Sequence, residues 1–465
     1  MKWFAMVLSL LLLPAGGRAQ SAEVSKEVER RTGHPLHPER RSAAEAKPAA
    51  RTMPEGVSLD DGVTEDEAVA LALWNNPGLQ AEMAALGLAR AEVIQAGLLT
   101  NPQLTMIFPF SLRVLEAVAN WPIEAIWQRP RRVAAARREQ ERVAETLVSR
   151  ALDLVRDVRL GFAEYAAART RAVIAGETAS ERREIARIIN ARFRAGEISE
   201  MEANAAVTDA RLTEERAARF AQEAALAGER LRGLLGFGAE DVELDLVAPP
   251  PIAPASSRLL GVSAAAAPAD GPSSAATESE TLSELISQAL AARPEVKAGE
   301  LAIEAAGARA RWERSRILTV TAIAKEYGRG AEGFEQGPGL LIDLPLFNRN
   351  QGNISRAEAE IERAARQLIA ARQRIVAEVR EAYTQLTQAR EAHRLWRTRV
   401  LPPLVQEIRL AEAAYRSGDV AYLLVLETAR RYSDERLREA DYRVAAARAL
   451  AQLERSVGRR LIANR

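Results

Sequence analysis

Phe193-Arg194-Ala195-Gly196-Glu197-Ile198-Ser199 interrupts a helical pattern that runs into it and resumes at once beyond it. Gly196 suits the left-handed position that ends a helix, because it has no Cβ to clash. Ser199, followed three residues later by Glu202, reads as a capping box, so a new helix begins immediately. The same order is written again at Tyr415-Arg416-Ser417-Gly418-Asp419-Val420-Ala421. There Gly418 is the predicted stop and Asp419 the predicted N-cap. Gly418 lies 222 positions beyond Gly196. Two matching tight turns, each closing a long helix, imply a duplicated chain with two matching tips.

The duplication extends well beyond the tips. Leu73 and Pro77 match Leu290 and Pro294; Val158, Arg159 and Phe162 match Val379, Arg380 and Tyr383; Leu231 and Gly236 match Leu453 and Gly458. Each half therefore carries the same elements in the same order. The first repeat spans 59–246, with an opening helix over 64–98 that starts on a Thr64/Glu67 capping box. A β-hairpin over 102–127, a long helix from Arg132, the tip at 193–199 and a return helix to Leu235 complete it. The second repeat spans 281–462: a helix to 315, a hairpin over 317–347, a long helix from Asn353, the tip at 415–421 and a return helix to Val457. Between them, 247–280 is a linker rich in Pro, Ala and Ser.

Period two marks the hairpins. Leu104, Met106, Phe108 and Phe110 share one face. Leu318, Val320, Ala322 and Ala324 share another, as do Leu340, Ile342, Leu344 and Leu346. Trp121, Ile123, Ala125 and Trp127 alternate more weakly, and Val114–Val118 also reads as a helical turn. Four strands cannot close a membrane barrel, which starts at about eight. Open edges in lipid leave backbone groups unpaired, each costing several kcal/mol, so other copies of the chain must close them. The other reading of this alternation is a pair of ordinary surface hairpins. The long helices run about 60 residues, or about 90 Å. Val148, Val155 and Phe162, with Ala151, Val158 and Tyr165 offset by three, form a coiled-coil seam. Ile369, Val376 and Tyr383, with Val379 and Leu386, repeat it.

The 465 residues are 48% hydrophobic and 27% charged, with net charge +1 and no Cys. Near-neutral charge gives no footprint for nucleic acid. Absence of Cys excludes disulfides, thiolate metal sites and a lipid-modified N-terminal Cys. Residues 1–19 read as a signal peptide, with Lys2 as the positive region, a short apolar run and small residues before a cleavage after Ala19. No later segment has the apolar run of a spanning helix, so membrane insertion must use strands. Residues 20–58 lack a helical or strand period and read as a disordered arm. His34 and His37 lie there without a preformed metal site. His393, on the second rod, reads as packed. No phosphate loop, nucleophile elbow or zinc motif appears, so no enzyme is indicated and neither cofactor nor metal is assigned.

The duplicated helix–hairpin–helix order, the two Gly tips and the junction Leu344-Pro345-Leu346-Phe347-Asn348-Arg349-Asn350-Gln351-Gly352 resemble the TolC family of outer-membrane efflux channels. The junction is similar to that of the heavy-metal cation efflux (CzcC-like) branch. The resemblance covers about Thr64 to Leu461. It implies a mainly α fold with a small membrane β part: long antiparallel coiled-coil helices in a periplasmic α-barrel, and four strands per chain in a shared trimeric β-barrel. It implies a homotrimer in the outer membrane, in contact with its lipid and reaching into the periplasm. The channel would be the passive exit duct of a tripartite system, with a periplasmic adaptor (membrane fusion protein) and an inner-membrane pump of the resistance-nodulation-division type. The junction tilts the cargo toward heavy-metal cations rather than drugs. The alternative is a periplasmic coiled-coil scaffold or adaptor without a membrane barrel.

Carried onto this sequence, the adaptor-facing tips are Arg194, Gly196, Glu197, Arg416, Gly418 and Asp419. The bland reading is that the glycines merely turn the chain, and both readings hold together. Of the family's two gate aspartates, one position is Leu424 and the other Glu427. Glu427, repeated around a threefold axis, would form a carboxylate ring favouring cations, and Glu202 is a second gate candidate. The competing reading makes both solvated helix-face acids.

Overall fold

A proline forces the residue before it out of the helical region, and this chain uses that rule twice to segment its helices. Asn76 and Arg293 are extended, with ψ of 119° and 131°, immediately before Pro77 and Pro294. The computed structural model describes residues 17–36, 53–54, 56–57, 62–107, 116–237, 273–328, 334–417, 419–420 and 422–461. The elements are α1 (Gly17–Thr32), α2 (Glu65–Asn75), α3 (Pro77–Gly97), β1 (Gln103–Ile107), β2 (Glu116–Pro122), α4 (Glu124–Arg194) and α5 (Glu200–Leu235). They continue as α6 (Ser273–Ala292), α7 (Pro294–Ser315), β3 (Thr319–Gly328), β4 (Phe334–Asp343), α8 (Gln351–Leu395), a π-turn at Trp396–Val400, α9 (Leu401–Ser417) and α10 (Tyr422–Val457). Two compact units result. One holds Met1–Val24, Ala81–Ser149 and Arg293–Arg374; the other holds Ser25–Gln80, Arg150–Ala292 and Ile375–Arg465.

The first unit carries all four strands in one antiparallel sheet of order β1-β2-β3-β4. Leu104 and Met106 oppose Ala119 and Ala117; Trp121 and Ala119 oppose Ala322 and Ala324; Val320 and Ala322 oppose Ile342 and Leu340. These apolar residues share one face, with Glu326 and Gln336 at its far end. The other face is mixed: Gln103, Thr105, Asn120, Thr319, Thr321, Lys325 and Asp343 stand among Val118, Ile323 and Leu341, and the Thr319 hydroxyl donates to Asp343 at 2.6 Å. Every described residue of β1 and β4 is exposed, so among the described residues nothing covers either edge strand. Next to the sheet, Arg129 and Arg132 donate to the carbonyls of Gly97 and Ala96 at 2.7 and 2.8 Å. They thereby satisfy the orphan acceptors at the end of α3.

The first hairpin is shorter than the alternation predicts. β2 stops at Pro122 and α4 begins at Glu124, so Ile123, Ala125 and Trp127 are not strand residues. Ile123 N–H donates to the Val320 carbonyl at 3.0 Å, and the Glu124 carboxylate accepts from Val320 N–H. A helix start with its acid at the first position outcompetes the weak alternation. The alternative helical turn at Val114–Val118 is also corrected, since its residues from Glu116 onward are strand. Phe108 and Phe110 lie outside the described residues.

In the second unit the seam of α4 is buried at Ala151, Val155, Val158 and Phe162, and Val148 continues it in the first unit. The second rod differs from its predicted seam. Ile369 is 54% exposed, while Leu368, Ile375, Val379, Ala382, Tyr383 and Leu386 are buried. The stripe keeps a seven-residue spacing but runs one position earlier, through Leu368, Ile375 and Ala382, with Val379 and Leu386 where the spacing predicts them; two apolar residues side by side, as at 368–369 and 375–376, leave that choice open in the sequence. α8 then passes through the π-turn, where Leu401 N–H reaches back five residues to Trp396 O. Pro402 and Pro403 follow and can donate no helical hydrogen bonds. Trp396 is buried, and its indole N–H donates to Glu435 of α10 at 3.0 Å.

Helix ends repeat with the duplication. Gly236 and Gly458 adopt φ of 83° and 82°. Phe237 N–H bonds Arg232 O at 2.9 Å and Arg459 N–H bonds Glu454 O at 3.2 Å, the six-to-one bond of a Schellman motif. At the start of the opening helix, both bonds of the Thr64–Glu67 capping box form. Arg159 is buried in an ion pair with Glu454 and lies 3.3 Å from Glu65, whose carboxyl is pushed up by burial.

Two expectations need correction. The arm over 20–58 is not without structure: α1 occupies Gly17–Thr32, and Val28, Thr32 and Leu36 are buried. Its apolar contacts are spaced four apart inside a strongly charged sequence. Arg31 anchors it by donating to Ala292 O at 2.5 Å and Gly458 O at 3.4 Å, both carbonyls at helix C-termini. The linker ends earlier than 280, since α6 starts at Ser273. Residues 1–16, the bulk of the signal peptide, and 238–272, most of the linker, lie outside the described residues.

Glycine ends and the α1 anchor both lend themselves to measurement. At Gly236 an added Cβ would stand 2.3 Å from Asn75 O at a left-handed φ, whereas at Gly196 it would meet open space. Gly196→Ala should cost about 1 kcal/mol from φ alone. Gly236→Ala should cost clearly more, read as a larger drop in melting temperature. On α1, Glu27 is raised by burial but lowered more by bonds from Arg30 and Arg31, leaving it below its ordinary value. A carboxyl depressed on folding contributes stability above its unfolded pKa and loses it as pH falls through the folded one. Hydrogen exchange over 24–32 should therefore accelerate selectively below about pH 4, and Glu27→Gln should show the faster exchange already at neutral pH.

Candidate functional site

Both tips are built by the same backbone device. At the first, Gly196 has φ 76°, Gly196 N–H bonds Phe193 O at 2.9 Å, and Glu197 N–H bonds Arg192 O at 3.0 Å. The Ser199 hydroxyl accepts from Glu202 N–H at 3.2 Å and the Glu202 carboxylate accepts from Ser199 N–H at 3.3 Å. The turn is thus closed on both sides by its own backbone. At the second tip, Asp419 N–H bonds Ala414 O at 2.9 Å, the counterpart of the Glu197–Arg192 bond. Asp419 is not the N-cap of α10, which starts three residues later at Tyr422; its carboxylate accepts from the Ser417 hydroxyl at 2.5 Å. Gly418 and the side chain of Arg416 lie outside the described residues.

The tips touch each other. Arg192 donates to the Tyr415 hydroxyl at 2.8 Å and pairs with Glu197 at 3.0 Å. Arg194 and Glu197 are exposed. Behind the first tip, Ala186, Ile189, Ala203, Ala206 and Ala210 form a core of small residues, which lets the two helix backbones approach closely.

Of the two gate candidates, Glu202 is held in the capping box. Glu427 is 68% exposed on its side chain, 3.7 Å from Arg431, which also pairs with Glu407 at 3.0 Å. Leu424, three residues earlier, is exposed as well. His393 is half-buried with no hydrogen bond to Nε2, and burial pushes its pKa below the usual imidazole range. His34 is lowered by burial too; His37 lies outside the described residues. Among the described residues, no three His, Asp or Glu side chains are grouped to hold a metal ion, and no helix is long and apolar enough to cross a membrane.

Sequence reasoning missed how α10 is fastened to α4 and α5. Arg171–Asp441 at 3.0 Å, Arg216–Asp434 at 2.5 Å, Arg436–Glu177 at 3.4 Å and Arg448–Glu164 at 2.6 Å form an exposed ladder. One rung is different. Asp209 is 2% exposed, accepts from Arg430 at 2.6 Å and faces the buried Arg182 at 3.5 Å. The signal was an acid set inside the alanine stripe Ala203, Ala206 and Ala210. Exposed rungs contribute about 0–1 kcal/mol each, whereas removing one partner of a buried pair costs about 3–5 kcal/mol. Asp209→Ala should therefore lower stability severalfold more than Asp441→Ala, measured by denaturant midpoint.

The family model described as outer membrane efflux protein matches residues 285–459. The cobalt-zinc-cadmium resistance protein CzcC of Cupriavidus metallidurans is 27% identical over 85% of this chain and 90% of its own length. The solved structure of CusC superposes with a TM-score of 0.66 at 20% identity, covering 91% of this chain and 97% of that one. The outer membrane protein VceC of Vibrio cholerae gives a TM-score of 0.66 at 17% identity, over 86% and 97%.

Proposed function

We propose that this chain, an outer membrane efflux protein of the TolC type, acts as a homotrimeric passive exit duct served by a periplasmic adaptor and an inner-membrane pump. Its place in the outer membrane, and its role as an efflux-channel component, rest on the family match and the CzcC likeness. The observation that carries the duct is the sheet. One face carries Leu104, Ala119, Ala322 and Leu340 and is broken by Glu326 and Gln336, and among the described residues neither edge strand, β1 nor β4, has a partner on its outer side. Such a sheet satisfies its backbone in lipid only when further strands extend it into a closed barrel. Three copies would supply about twelve strands, with Leu104, Ala119, Ala322 and Leu340 toward lipid and Thr105, Asn120 and Thr321 toward water. A periplasmic scaffold without a barrel would leave this apolar face in water.

The two tips, Arg194, Gly196 and Glu197 with Arg416, Gly418 and Asp419, are the surface we assign to the adaptor; of these, Arg194, Gly196, Glu197 and Asp419 are exposed. Function concentrates in such turns on rigid rods. Glu427, exposed beyond the second tip, is assigned to the gate, where a threefold carboxylate ring would favour cations. Glu202 is the weaker gate residue, since its carboxylate is already committed to capping. The printed name of the CzcC relative favours cobalt, zinc and cadmium as cargo over drugs. A duct of this kind need not itself bind the metal.

The test is single-channel conductance of the purified trimer in a planar bilayer, with Glu427→Ala beside it. Discrete steps with cation preference in the parent, and larger or less selective steps in the variant, are expected. Identical steps in both would remove Glu427 from the gate. A monomer that never enters the bilayer would overturn the duct.

A further inference from the structure

Beside the buried rung, α4, α5 and α10 line a cavity of about 220 Å³. Its polar walls are Arg182 from α4, Asp209 and Arg216 from α5, and Arg430, Ser433 and Asp434 from α10. Hydrogen-bond donors there outnumber their partners. Arg182 is 6% exposed, and among the described residues its only polar partner is Asp209, 3.5 Å from its Nε. A guanidinium carries five N–H donors, and the four on Arg182 Nη1 and Nη2 make no hydrogen bond among the described residues. Asp209 Oδ1 already accepts from Arg430 at 2.6 Å, and its Oδ2, buried without a hydrogen bond, offers too few lone pairs for all of these donors. Arg216 reaches Asp434 through Nη1 at 2.5 Å, but its Nε is buried with no hydrogen bond. The half-buried Ser433 hydroxyl has no partner among the described residues.

Charge points the same way. Three guanidinium groups face two carboxylates around this cavity, and of the five only Arg182 and Asp209 are buried. Buried donors without acceptors are costly. A cation would meet like charge, and a neutral ligand would leave the excess charge in place. An oxyanion has acceptors in several directions, no competing donors and the missing negative charge. Arginine donors are suited to phosphate-like groups in particular.

We propose that this cavity is a binding site for a free tetrahedral oxyanion of the phosphate class, held by Arg182, Arg216 and Ser433. Because the three donors come from three different helices, the bound ion ties α10 to α4 and α5 from within. This site is independent of the duct reading, because all of its lining residues belong to one chain.

The experiment is calorimetric titration of the purified full-length protein in detergent with inorganic phosphate, at constant ionic strength in chloride. Saturable binding is expected for the parent. Arg182→Met keeps the volume and removes the donors, and it should weaken binding at least tenfold. Ser433→Ala removes one hydroxyl from a residue the fold does not lean on, and it should weaken binding about threefold or more. Arg171→Met, on an exposed rung away from the cavity, should bind as the parent does. Absence of saturable binding in the parent, or parent-like affinity in both Arg182→Met and Ser433→Ala, would overturn the site. Should Arg182→Met fail to fold, Ser433→Ala alone decides.

Discussion

Backbone amides in hydrocarbon have no water to turn to, and that constraint governs the strand-bearing unit. β3 and β4 are each ten residues long, and none of their described residues is buried, an arrangement a soluble fold would cover. Among the described residues nothing covers it, and the charges, Lys325, Glu326, Glu335 and Asp343, sit toward the strand ends. The chain places Leu340 and Ile342 on one face, Thr321 and Asp343 on the other, and leaves both edges open. The elements next to the sheet serve to hold it in that state: Arg129 and Arg132 close the end of α3, and Glu124 links the start of α4 to β3. The strands are thus kept ready for pairing outside the chain by hydrogen bonds made inside it.

Away from the sheet, the physics is that of water and long helices. Small residues set how closely the rods approach, as at Ala203 and Ala206, and arginine pairs set which face meets which. Exposed pairs such as Arg216–Asp434 add little stability. Their value lies in register, because a helix slipped by one turn would separate every pair on the ladder at once. The buried Asp209 is the exception, fixed by two arginines at a depth where neither side can be lost cheaply.

Much of this was legible in the residues. Gly196, Gly236 and Gly458 mark left-handed helix ends, and Ser199 and Thr64 mark helix starts, because those signals are local and strong. The sheet was legible wherever polar and apolar residues alternate through a full strand, as in Val320–Ala324. It failed at Ile123–Trp127, where the apolar residues suit either period and the acid at Glu124 decides for a helix. α1 was missed because its apolar positions, Val24 and Val28, are few, and what stabilises it is Arg31 reaching carbonyls hundreds of residues away. The seam of α8 was read one position late because Leu368-Ile369 and Ile375-Val376 are adjacent apolar pairs, and the spacing alone does not say which member is buried. Asp209 and Arg182 lie 27 positions apart, and only the hairpin brings them together. Of the tip and gate residues, the sequence locates the turns. What those turns meet is decided by surfaces belonging to other molecules.

The π-turn at Trp396–Val400 makes the two repeats unequal. α4 runs 71 residues without such an insertion, whereas its counterpart gains one residue within a turn and then meets two prolines. Left inside a regular helix, one extra residue would rotate everything beyond it by about 100° around the axis. The matched residues show it as an insertion: Val379 lies 221 positions beyond Val158, whereas Gly418 lies 222 beyond Gly196. A single π-turn takes up such a residue locally. The helix beyond it then keeps the phase of its counterpart, and the bulge is what lets two repeats of unequal length end in matching turns.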